Sequence, residues 1–284
     1  MTFASSSLVS TEWLAKHLHN ENIVILDGSF KLPGATPLAS EDYEARHIPG
    51  AVFFDIDAIA DHSTTLPHML PSSDAFARSV EALGVSNDSF VVVYDTPGLM
   101  SAGRVWWTFR IFGHSNVAVL DGGLRAWLAE GRPVTSERTN VKAGRFTAKL
   151  NRSGVVSKSD VLKNVETRER PLVDARSAAR FGATEQEARP GLRSGHIPGS
   201  LNVPFNLMTD PDTGRMKSPK KIRSVFEQAG FAMSRPAIAS CGSGVTACAL
   251  VFGLHLAGKD DVAVYDGAWA EWGIPGDTPV EPCP

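Results

Sequence analysis

The chain contains the sequence His-Ile-Pro-Gly-Ser at residues 196–200 and the nearly identical sequence His-Ile-Pro-Gly-Ala at residues 47–51, 149 residues earlier (196 − 47). Three further pairs keep the same order in the two halves, with offsets that drift between 145 and 147. These pairs are Leu26-Asp27 and Val173-Asp174, residues 92–95 and 238–241, and residues 119–122 and 264–267. Because ordered matches at a nearly constant offset mark an internal repeat, the sequence predicts a duplicated domain.

Each half alternates short apolar runs with amphipathic runs, which is typical of an α/β fold with a mostly parallel sheet and helices on both of its faces. The predicted strands lie at residues 23–26, 52–54, 90–94 and 117–120 in the first half, and at residues 172–174, 201–203, 237–240 and 262–265 in the second. A helix is predicted to begin at Pro71–Asp74 and to end near Gly84, since glycine commonly follows the end of a helix. The polar segment at residues 137–155 indicates a linker. We therefore expect an N-terminal domain at residues 1–136 and a C-terminal domain at residues 156–284.

The composition limits the classes of protein to which the chain can belong. Its 284 residues are 43% hydrophobic and 21% charged, as in globular proteins of one or two domains. The net charge of −3 is spread along the chain, so neither nucleic acid nor a membrane is expected as a partner. Because residues 1–10 lack the basic and apolar regions of a targeting signal, we expect a cytoplasmic protein.

The three cysteines indicate which chemistry to expect. An odd number without a Cys-x-x-Cys pair is atypical of a disulfide framework and of a structural zinc site, so we expect a reducing compartment. Cys248 lies in a predicted apolar helix, which favours a position in the core. Cys283, the penultimate residue, is predicted to be exposed. Cys241 is therefore the candidate nucleophile.

Cys241 lies in the sequence Ser-Cys-Gly-Ser-Gly-Val-Thr at residues 240–246, between a predicted strand and a predicted helix. Parallel α/β sheets bind ligands at the carboxyl ends of their strands. Gly242 and Gly244 allow successive backbone N–H groups to face inward, and the helix N-terminus adds positive potential, so the loop is predicted to bind an anion and to favour a nucleophilic thiolate. The alternative is a buried structural cysteine before a glycine turn. At the matching position the first half has Asp95, so we expect no catalytic cysteine there.

These motifs resemble those of the rhodanese superfamily, and the sequence Cys-Gly-Ser-Gly-Val-Thr resembles the active loop of its mercaptopyruvate sulfurtransferase branch. The similarity covers nearly the whole chain and includes further motifs at residues 104–107, 109–110, 112–114, 121–123, 265–267, 269 and 271–272. It implies two tandem rhodanese-like domains, in which His47 and His196 lie in structural turns before strands. It also implies a sulfurtransferase that carries the sulfur of 3-mercaptopyruvate as a persulfide on Cys241 and releases pyruvate. The sulfur acceptor would be cyanide or a thiol such as reduced thioredoxin, and this reaction would require no metal or organic cofactor.

The resemblance also implies substrate-binding residues. In the family, two arginines nine positions apart bind the substrate carboxylate, and Arg180 and Arg189 match this spacing. Guanidinium groups suit carboxylates because they form paired charge-assisted hydrogen bonds. Without the resemblance, Arg180 would be interpreted as a helix end, and Arg189, like Arg193, as a solvated loop charge. The other binding residues implied are those of the active loop: Gly242, Gly244, Val245 and Thr246.

The family further suggests a proton relay, and the residues that match it are Ser243 in the active loop, His68 and Asp57. His62 and Asp55 lie close by in the sequence as alternatives. Interpreted without the family, Asp57 would be a helix cap and His68 an ordinary loop residue.

Three other functions remain as alternatives. A thiosulfate sulfurtransferase of the same family typically has cationic side chains at the two positions after the cysteine, because thiosulfate is a dianion, whereas Gly242 and Ser243 are neutral. A phosphatase with a cysteine nucleophile needs an arginine that closes the loop, but the residue six positions after Cys241 is Ala247. A non-enzymatic rhodanese-like binding module fits the first half of the chain but not the half that contains Cys241.

Overall fold

The computed structural model describes residues 6–281, and these residues pack into two units. The first unit comprises the chain up to Ala60, Pro71–Leu150 and Thr209–Met216. The second unit comprises Asp61–Leu70, Asn151–Met208 and the chain from Lys217 onward. Each unit therefore contains one short segment that comes from the other half of the sequence.

The first unit is built on one parallel sheet. Its strands are β1 (Leu8–Val9), β2 (Ile23–Asp27), β3 (Ala51–Phe53), β4 (Phe90–Tyr94) and β5 (Val117–Leu120). Its helices are α1 (Thr11–His17), α2 (Ala39–Ala45), α3 (Ser73–Ala82), α4 (Ala102–Ile111) and α5 (Gly123–Ala129). The strands lie in the order β1-β5-β4-β2-β3, and every pair is parallel. The central strand β4 is buried along its whole length, which explains why its sequence is apolar without alternation.

The second unit repeats this arrangement. Its strands are β6 (Val155–Val156), β7 (Leu172–Asp174), β8 (Leu201–Asn202), β9 (Ala237–Ser240) and β10 (Val262–Tyr265). Its helices are α6 (Lys158–Thr167), α7 (Ala178–Phe181), α8 (Pro219–Gln228), α9 (Ala247–Leu256) and α10 (Ala268–Trp272). The strand order β6-β10-β9-β7-β8 is that of the first unit, again with parallel pairs throughout.

The order of the strands decides where a ligand can bind. In each sheet the chain moves to one edge, from β2 to β3 or from β7 to β8, and then returns past its starting strand to β4 or β9. Because crossover connections between parallel strands are right-handed, this reversal puts helices on both faces of the sheet. The predicted α/β fold with two parallel sheets is thus confirmed. Ligands bind beside the carboxyl ends of strands at such a reversal, which here are the ends of β7 and β9.

Local sequence signals account for the boundaries of helix α3, which was predicted from the sequence. The hydroxyl of Ser72 accepts a hydrogen bond from the N–H of Ala75 and so caps the first turn. Phe76 and Val80, one turn apart, are fully buried against the core. Gly84 follows the helix with a left-handed φ of 84°, a conformation that glycine adopts without steric cost.

All eight predicted strands are present, and their ends differ from the prediction by no more than one residue. The sequence missed β1 and β6, which contain two residues each. Strands this short show no alternation of apolar and polar residues, so they give no periodic signal.

Two negative findings hold for the part of the chain that the structure describes. No helix there is both long enough and apolar enough to cross a bilayer. No group of three or more His, Cys, Asp or Glu side chains there is placed to hold a metal ion.

The duplication extends to buried hydrogen bonds. Trp127 in α5 and Trp272 in α10 occupy matching positions, and both side chains are fully buried. Each indole N–H donates to the carbonyl oxygen of a proline, Pro133 at 2.7 Å and Pro279 at 2.7 Å. Because its polar edge has a partner, each indole can be buried without an unsatisfied donor.

His47 and His196 have equivalent structural positions in the two units. Each imidazole is buried and stacks on an aromatic ring, that of Tyr43 at 4.1 Å or that of Phe181 at 3.9 Å between ring centroids. Each Nδ1 lies within hydrogen-bonding distance of the carbonyl oxygen of the same aromatic residue, at 2.7 Å and 3.0 Å. The prediction that both histidines are structural is therefore confirmed.

Gly123 and Ala268 begin α5 and α10 at matching positions, and both have a left-handed φ, 56° and 49°. This conformation costs a residue other than glycine about 1–2 kcal/mol. At Gly123 an added Cβ would also lie 2.2 Å from the carbonyl oxygen of Asp95. We therefore expect Gly123→Ala to lower the free energy of unfolding by about 2 kcal/mol or more. Ala268→Gly should raise it by up to about 1 kcal/mol, because the more flexible unfolded chain offsets part of the relieved strain.

Urea unfolding monitored by tryptophan fluorescence measures the free energy of unfolding of both variants against that of the parent protein. A loss of stability in Ala268→Gly would contradict the strain assigned to this position.

Candidate active site

Cys241 follows β9 directly, at the carboxyl end of the sheet in the second unit, and is buried. The backbone around it is fixed by α10: the N–H of Trp269 donates to the carbonyl of Cys241 (2.9 Å), and the N–H of Ala270 donates to that of Gly242 (2.8 Å). Gly244 has a left-handed φ of 78°, which turns the chain toward helix α9. The cysteine therefore lies in a rigid loop between a strand and a helix.

The matching loop of the first unit shows what this backbone can bind. There the carboxylate of Asp95 accepts N–H hydrogen bonds from Gly98 (2.8 Å), Met100 (2.7 Å), Ser101 (2.7 Å) and Ala102 (2.8 Å). A carboxylate held by this many backbone donors marks an anion-binding site at the start of a helix.

The two loops share the features that orient these N–H groups. Gly98 and Gly244 match in position and both have left-handed backbone angles. The helices that follow begin one residue apart in this alignment, at Ala102 in α4, seven residues after Asp95, and at Ala247 in α9, six residues after Cys241. Since a helix leaves its first N–H groups without partners inside the helix, both loops offer donors to the side chain at the end of the preceding strand. In the second unit that side chain is Cys241.

Arg180 lies beside this loop. Its side chain projects from the short helix α7, and a Cβ added to Gly242 would lie 2.9 Å from its Nη2. The interpretation of Arg180 as a helix residue is correct for its backbone, but its guanidinium group contacts the residue that follows Cys241. The absence of a side chain at Gly242 leaves room for this guanidinium.

A chain of alternating charges, which the sequence did not reveal, lies behind Arg180. The carboxylate of Glu187 accepts hydrogen bonds from Arg180 through Nε (3.2 Å) and Nη2, and from Nη1 of Arg176 (2.5 Å). Arg176 also binds Asp174 with Nε (2.9 Å) and Nη2 (2.8 Å), and its guanidinium lies 4.3 Å from the ring centre of Trp269. Although burial alone would lower the pKa of Arg176, the adjacent Asp174 and Glu187 carboxylates raise it, so this side chain is charged.

One signal for part of this network was present in the sequence. Asp174 and Arg176 are opposite charges two residues apart at the carboxyl end of an apolar strand, a place where charged side chains are rarely without a function. The first unit lacks the pair, because Ser29 stands where the second unit has Arg176. There, burial raises the pKa of Asp27, the counterpart of Asp174, and no arginine lowers it.

The other two arginines of this region differ in their surroundings. Arg189 is half-buried, and its part in substrate binding stays a prediction. The interpretation of Arg193 as a solvated loop charge is wrong: its guanidinium donates to the carbonyl oxygens of Trp272 (2.9 Å) and Thr278 (2.8 Å). Arg193 therefore fixes the chain that follows α10.

His68 belongs to the segment that packs with the second unit, and it is buried next to the active loop. Its Nδ1 lies 3.2 Å from the carbonyl oxygen of Ser243. Because a carbonyl only accepts hydrogen bonds, Nδ1 is the nitrogen that donates in this contact. The segment is also held by Leu70, whose N–H donates to Asp266 (2.7 Å).

The residues predicted for the relay are thus found in different places. His68 and Ser243 are brought together, through the Ser243 carbonyl, and both are buried. Asp57 is exposed in the first unit, where its N–H donates to the carboxylate of Asp55 (2.9 Å), and its pairing with His68 stays a prediction. His62, the alternative to His68, is exposed.

The other two cysteines of the chain are Cys248 and Cys283. Cys248 is fully buried in α9, as predicted, and its thiol donates to the carbonyl of Gly244 (3.3 Å). It therefore supports the active loop from within the core. Cys283 lies outside the described residues.

Known proteins resemble the chain over nearly its whole length. The rhodanese-like domain pattern matches residues 10–130 and 157–274. The rat protein 3-mercaptopyruvate sulfurtransferase is 45% identical over 272 residues, which are 94% of this chain and 91% of that protein. Rat thiosulfate sulfurtransferase is 46% identical over 274 residues, with the same shares. The crystal structure of the 3-mercaptopyruvate sulfotransferase SseA from Escherichia coli superposes with a TM-score of 0.85 at 39% identity, covering 93% of this chain and 99% of SseA. With both halves matched and relatives this similar, the chain belongs to the rhodanese family.

Proposed function

We propose that this protein is a 3-mercaptopyruvate sulfurtransferase. It takes the sulfur atom of 3-mercaptopyruvate onto Cys241 as a persulfide, releases pyruvate, and passes the sulfur to a thiol or to cyanide. The observation that carries this proposal is the position of Cys241 in a loop whose counterpart in the first unit surrounds the Asp95 carboxylate with backbone N–H groups.

A persulfide anion needs the environment that such a loop provides. Its negative charge is concentrated on the outer sulfur, where backbone N–H groups fixed in advance can donate to it without reorganising. The rigid backbone of the active loop supports this role, because α10 holds the carbonyls of Cys241 and Gly242 from the other side. The same donors would stabilise the thiolate before the reaction.

In the first half-reaction the Cys241 thiolate attacks the sulfur of 3-mercaptopyruvate. A sulfur–sulfur bond forms, the bond between sulfur and C3 breaks, and its electron pair moves into the enolate of pyruvate. The proton of the substrate thiol is transferred to C3, so that pyruvate leaves and a persulfide anion remains. In the second half-reaction an acceptor thiolate or cyanide attacks the outer sulfur and restores the Cys241 thiolate.

Two groups of side chains would assist these steps. Arg180, whose guanidinium group lies beside Gly242, and Arg189 would bind the substrate carboxylate. His68, which contacts the active loop through Nδ1, would move the proton from sulfur to C3 together with Ser243 and Asp57.

Thiosulfate is the competing donor, and overall similarity does not decide between the two. The rat relatives named for each activity are 45% and 46% identical to the chain. The active loop favours 3-mercaptopyruvate, because Gly242 and Ser243 add no positive charge for a dianion and Gly242 instead leaves room for Arg180.

Reduced thioredoxin as the acceptor stays a prediction from the family resemblance, and a cytoplasmic location stays a prediction from the sequence. Among the relatives, one from Arabidopsis thaliana, 42% identical over 298 residues, is a mitochondrial thiosulfate/3-mercaptopyruvate sulfurtransferase.

Treatment with 3-mercaptopyruvate in the absence of an acceptor should add one sulfur atom to the protein. Intact-mass analysis and peptide mapping should place this atom on Cys241, because the loop donors stabilise a persulfide there and not at Cys248 in the core. Cys241→Ser should neither gain the sulfur nor release pyruvate, while Cys248→Ser serves as the control that retains both. Turnover by Cys241→Ser would disprove the mechanism.

His68→Ala should reduce kcat for 3-mercaptopyruvate by about 10²-fold or more, because acid–base assistance typically contributes 10²–10⁴-fold. His68 also has a left-handed φ of 61°, so the variant changes the backbone preference as well. His68→Asn separates the two effects, since asparagine tolerates this conformation but does not titrate. Steady-state kinetics should show similar losses in both variants.

The exposed residue His62 provides the matched control for His68. His62→Ala is expected to retain the parent kcat. If His68→Asn also turns over 3-mercaptopyruvate at the parent rate, His68 moves no proton in this reaction.

A further inference from the structure

We propose that Glu187 positions Arg180 and sets the charge that the site presents to its substrate, so that a singly charged carboxylate is favoured over a dianion. The inference rests on the proposed function, because it concerns how that same site selects its sulfur donor. Glu187 was not among the residues predicted from the sequence.

The Glu187 carboxylate lies between two arginines and accepts hydrogen bonds from both. One oxygen accepts from Arg176 (2.5 Å), and the other accepts from both Nε (3.2 Å) and Nη2 of Arg180. The Glu187 side chain is only 2% exposed, and that of Arg176 is not exposed at all. Arg180 is 20% exposed, so it is the one end of this chain of charges that solvent and substrate can reach.

Arg176, which donates to Glu187, is itself held in place by several groups. Arg176 is held by the Asp174 carboxylate at the end of β7 and by the carbonyl oxygen of Gly195 (2.8 Å). The guanidinium of Arg176 also packs against the ring of Trp269, and the backbone N–H of Trp269 donates to the carbonyl of Cys241. Glu187 is therefore attached to the same framework as the active loop, and it holds Arg180 beside Gly242.

The charges of the four side chains in this network balance. Asp174 and Glu187 carry two negative charges, and Arg176 and Arg180 carry two positive charges, so the buried network is neutral. Arg180 thus offers hydrogen-bond donors to a substrate while much of its charge is cancelled from behind. A carboxylate with one charge is bound well by such a group, whereas a second charge on the ligand gains little from it.

Glu187→Gln tests the charge directly. The amide can still accept from an arginine, but the network gains one net positive charge near the bound donor. The ratio of kcat/KM for thiosulfate to kcat/KM for 3-mercaptopyruvate should rise by about tenfold or more, because the dianion gains about twice as much from the added charge. The rise should shrink at high salt, since salt screens this interaction.

Two further variants separate charge from position. Glu187→Asp keeps the charge but shortens the side chain, so it should raise KM for 3-mercaptopyruvate by about threefold or more while the donor ratio stays within about twofold of the parent. Glu185→Gln removes the same charge from an exposed side chain two residues away and should leave both kinetic constants unchanged. If Glu187→Gln shows the donor ratio of the parent and of Glu185→Gln, the proposal is wrong.

Inhibition of the unmodified protein provides a second test that does not depend on the folding of Glu187→Gln. Pyruvate, a singly charged 2-oxo acid, should compete with the donor more strongly than sulfate, a dianion. Tighter inhibition by sulfate would overturn the proposal. Failure of the proposed function would look different, because the parent would then release no pyruvate from 3-mercaptopyruvate while the ranking of the two inhibitors could still be measured.

Discussion

The feature on which the site depends is a set of backbone N–H groups that need an anion. A strand that turns into a helix leaves the first N–H groups of the helix without partners in the helix, and in both halves of this chain a left-handed glycine turns them toward the end of the strand. In the first half the Asp95 carboxylate satisfies them within the protein. In the second half the residue at that position is Cys241, whose sulfur takes up and releases a second sulfur atom under the proposed function. One backbone arrangement thus gives a structural loop in one copy and a reactive loop in the other.

The charged side chains around the loop follow from the same sheet. Because β7 and β9 are neighbours, the residues after β7 reach the loop after β9, and Arg180 contacts Gly242. Arg180 does not act alone, since Glu187, Arg176 and Asp174 fix it in place and cancel its charge. Under the proposal, this charge-balanced network and the neutral residues Gly242 and Ser243 leave the site without the positive charge that a dianionic donor would need. Selection of the donor would therefore depend on residues outside the loop as well as on the loop itself.

Much of this structure could be predicted from the sequence, and the part that could not has a physical reason. The repeat and the apolar runs predicted the two parallel sheets, because buried strands have a composition that solvent-exposed segments lack. The glycines around Cys241 predicted the loop, and the resemblance to the rhodanese family led to Arg180. The network through Glu187 escaped prediction because Glu187 lies in an irregular loop after α7. In such a loop no periodicity relates the distance between residues in the sequence to their contacts. The packing of His68 against the Ser243 carbonyl depends on residues 175 positions apart and was supplied by the family alone.

The most direct test of the account is the choice of donor by the unmodified protein. Pyruvate release from 3-mercaptopyruvate and thiocyanate formation from thiosulfate should be measured with cyanide as the acceptor in both cases. A neutral loop beside a charge-balanced Arg180 predicts a kcat/KM for 3-mercaptopyruvate that exceeds that for thiosulfate by about tenfold or more. An equal or higher kcat/KM for thiosulfate would contradict it, and would identify the protein as a thiosulfate sulfurtransferase.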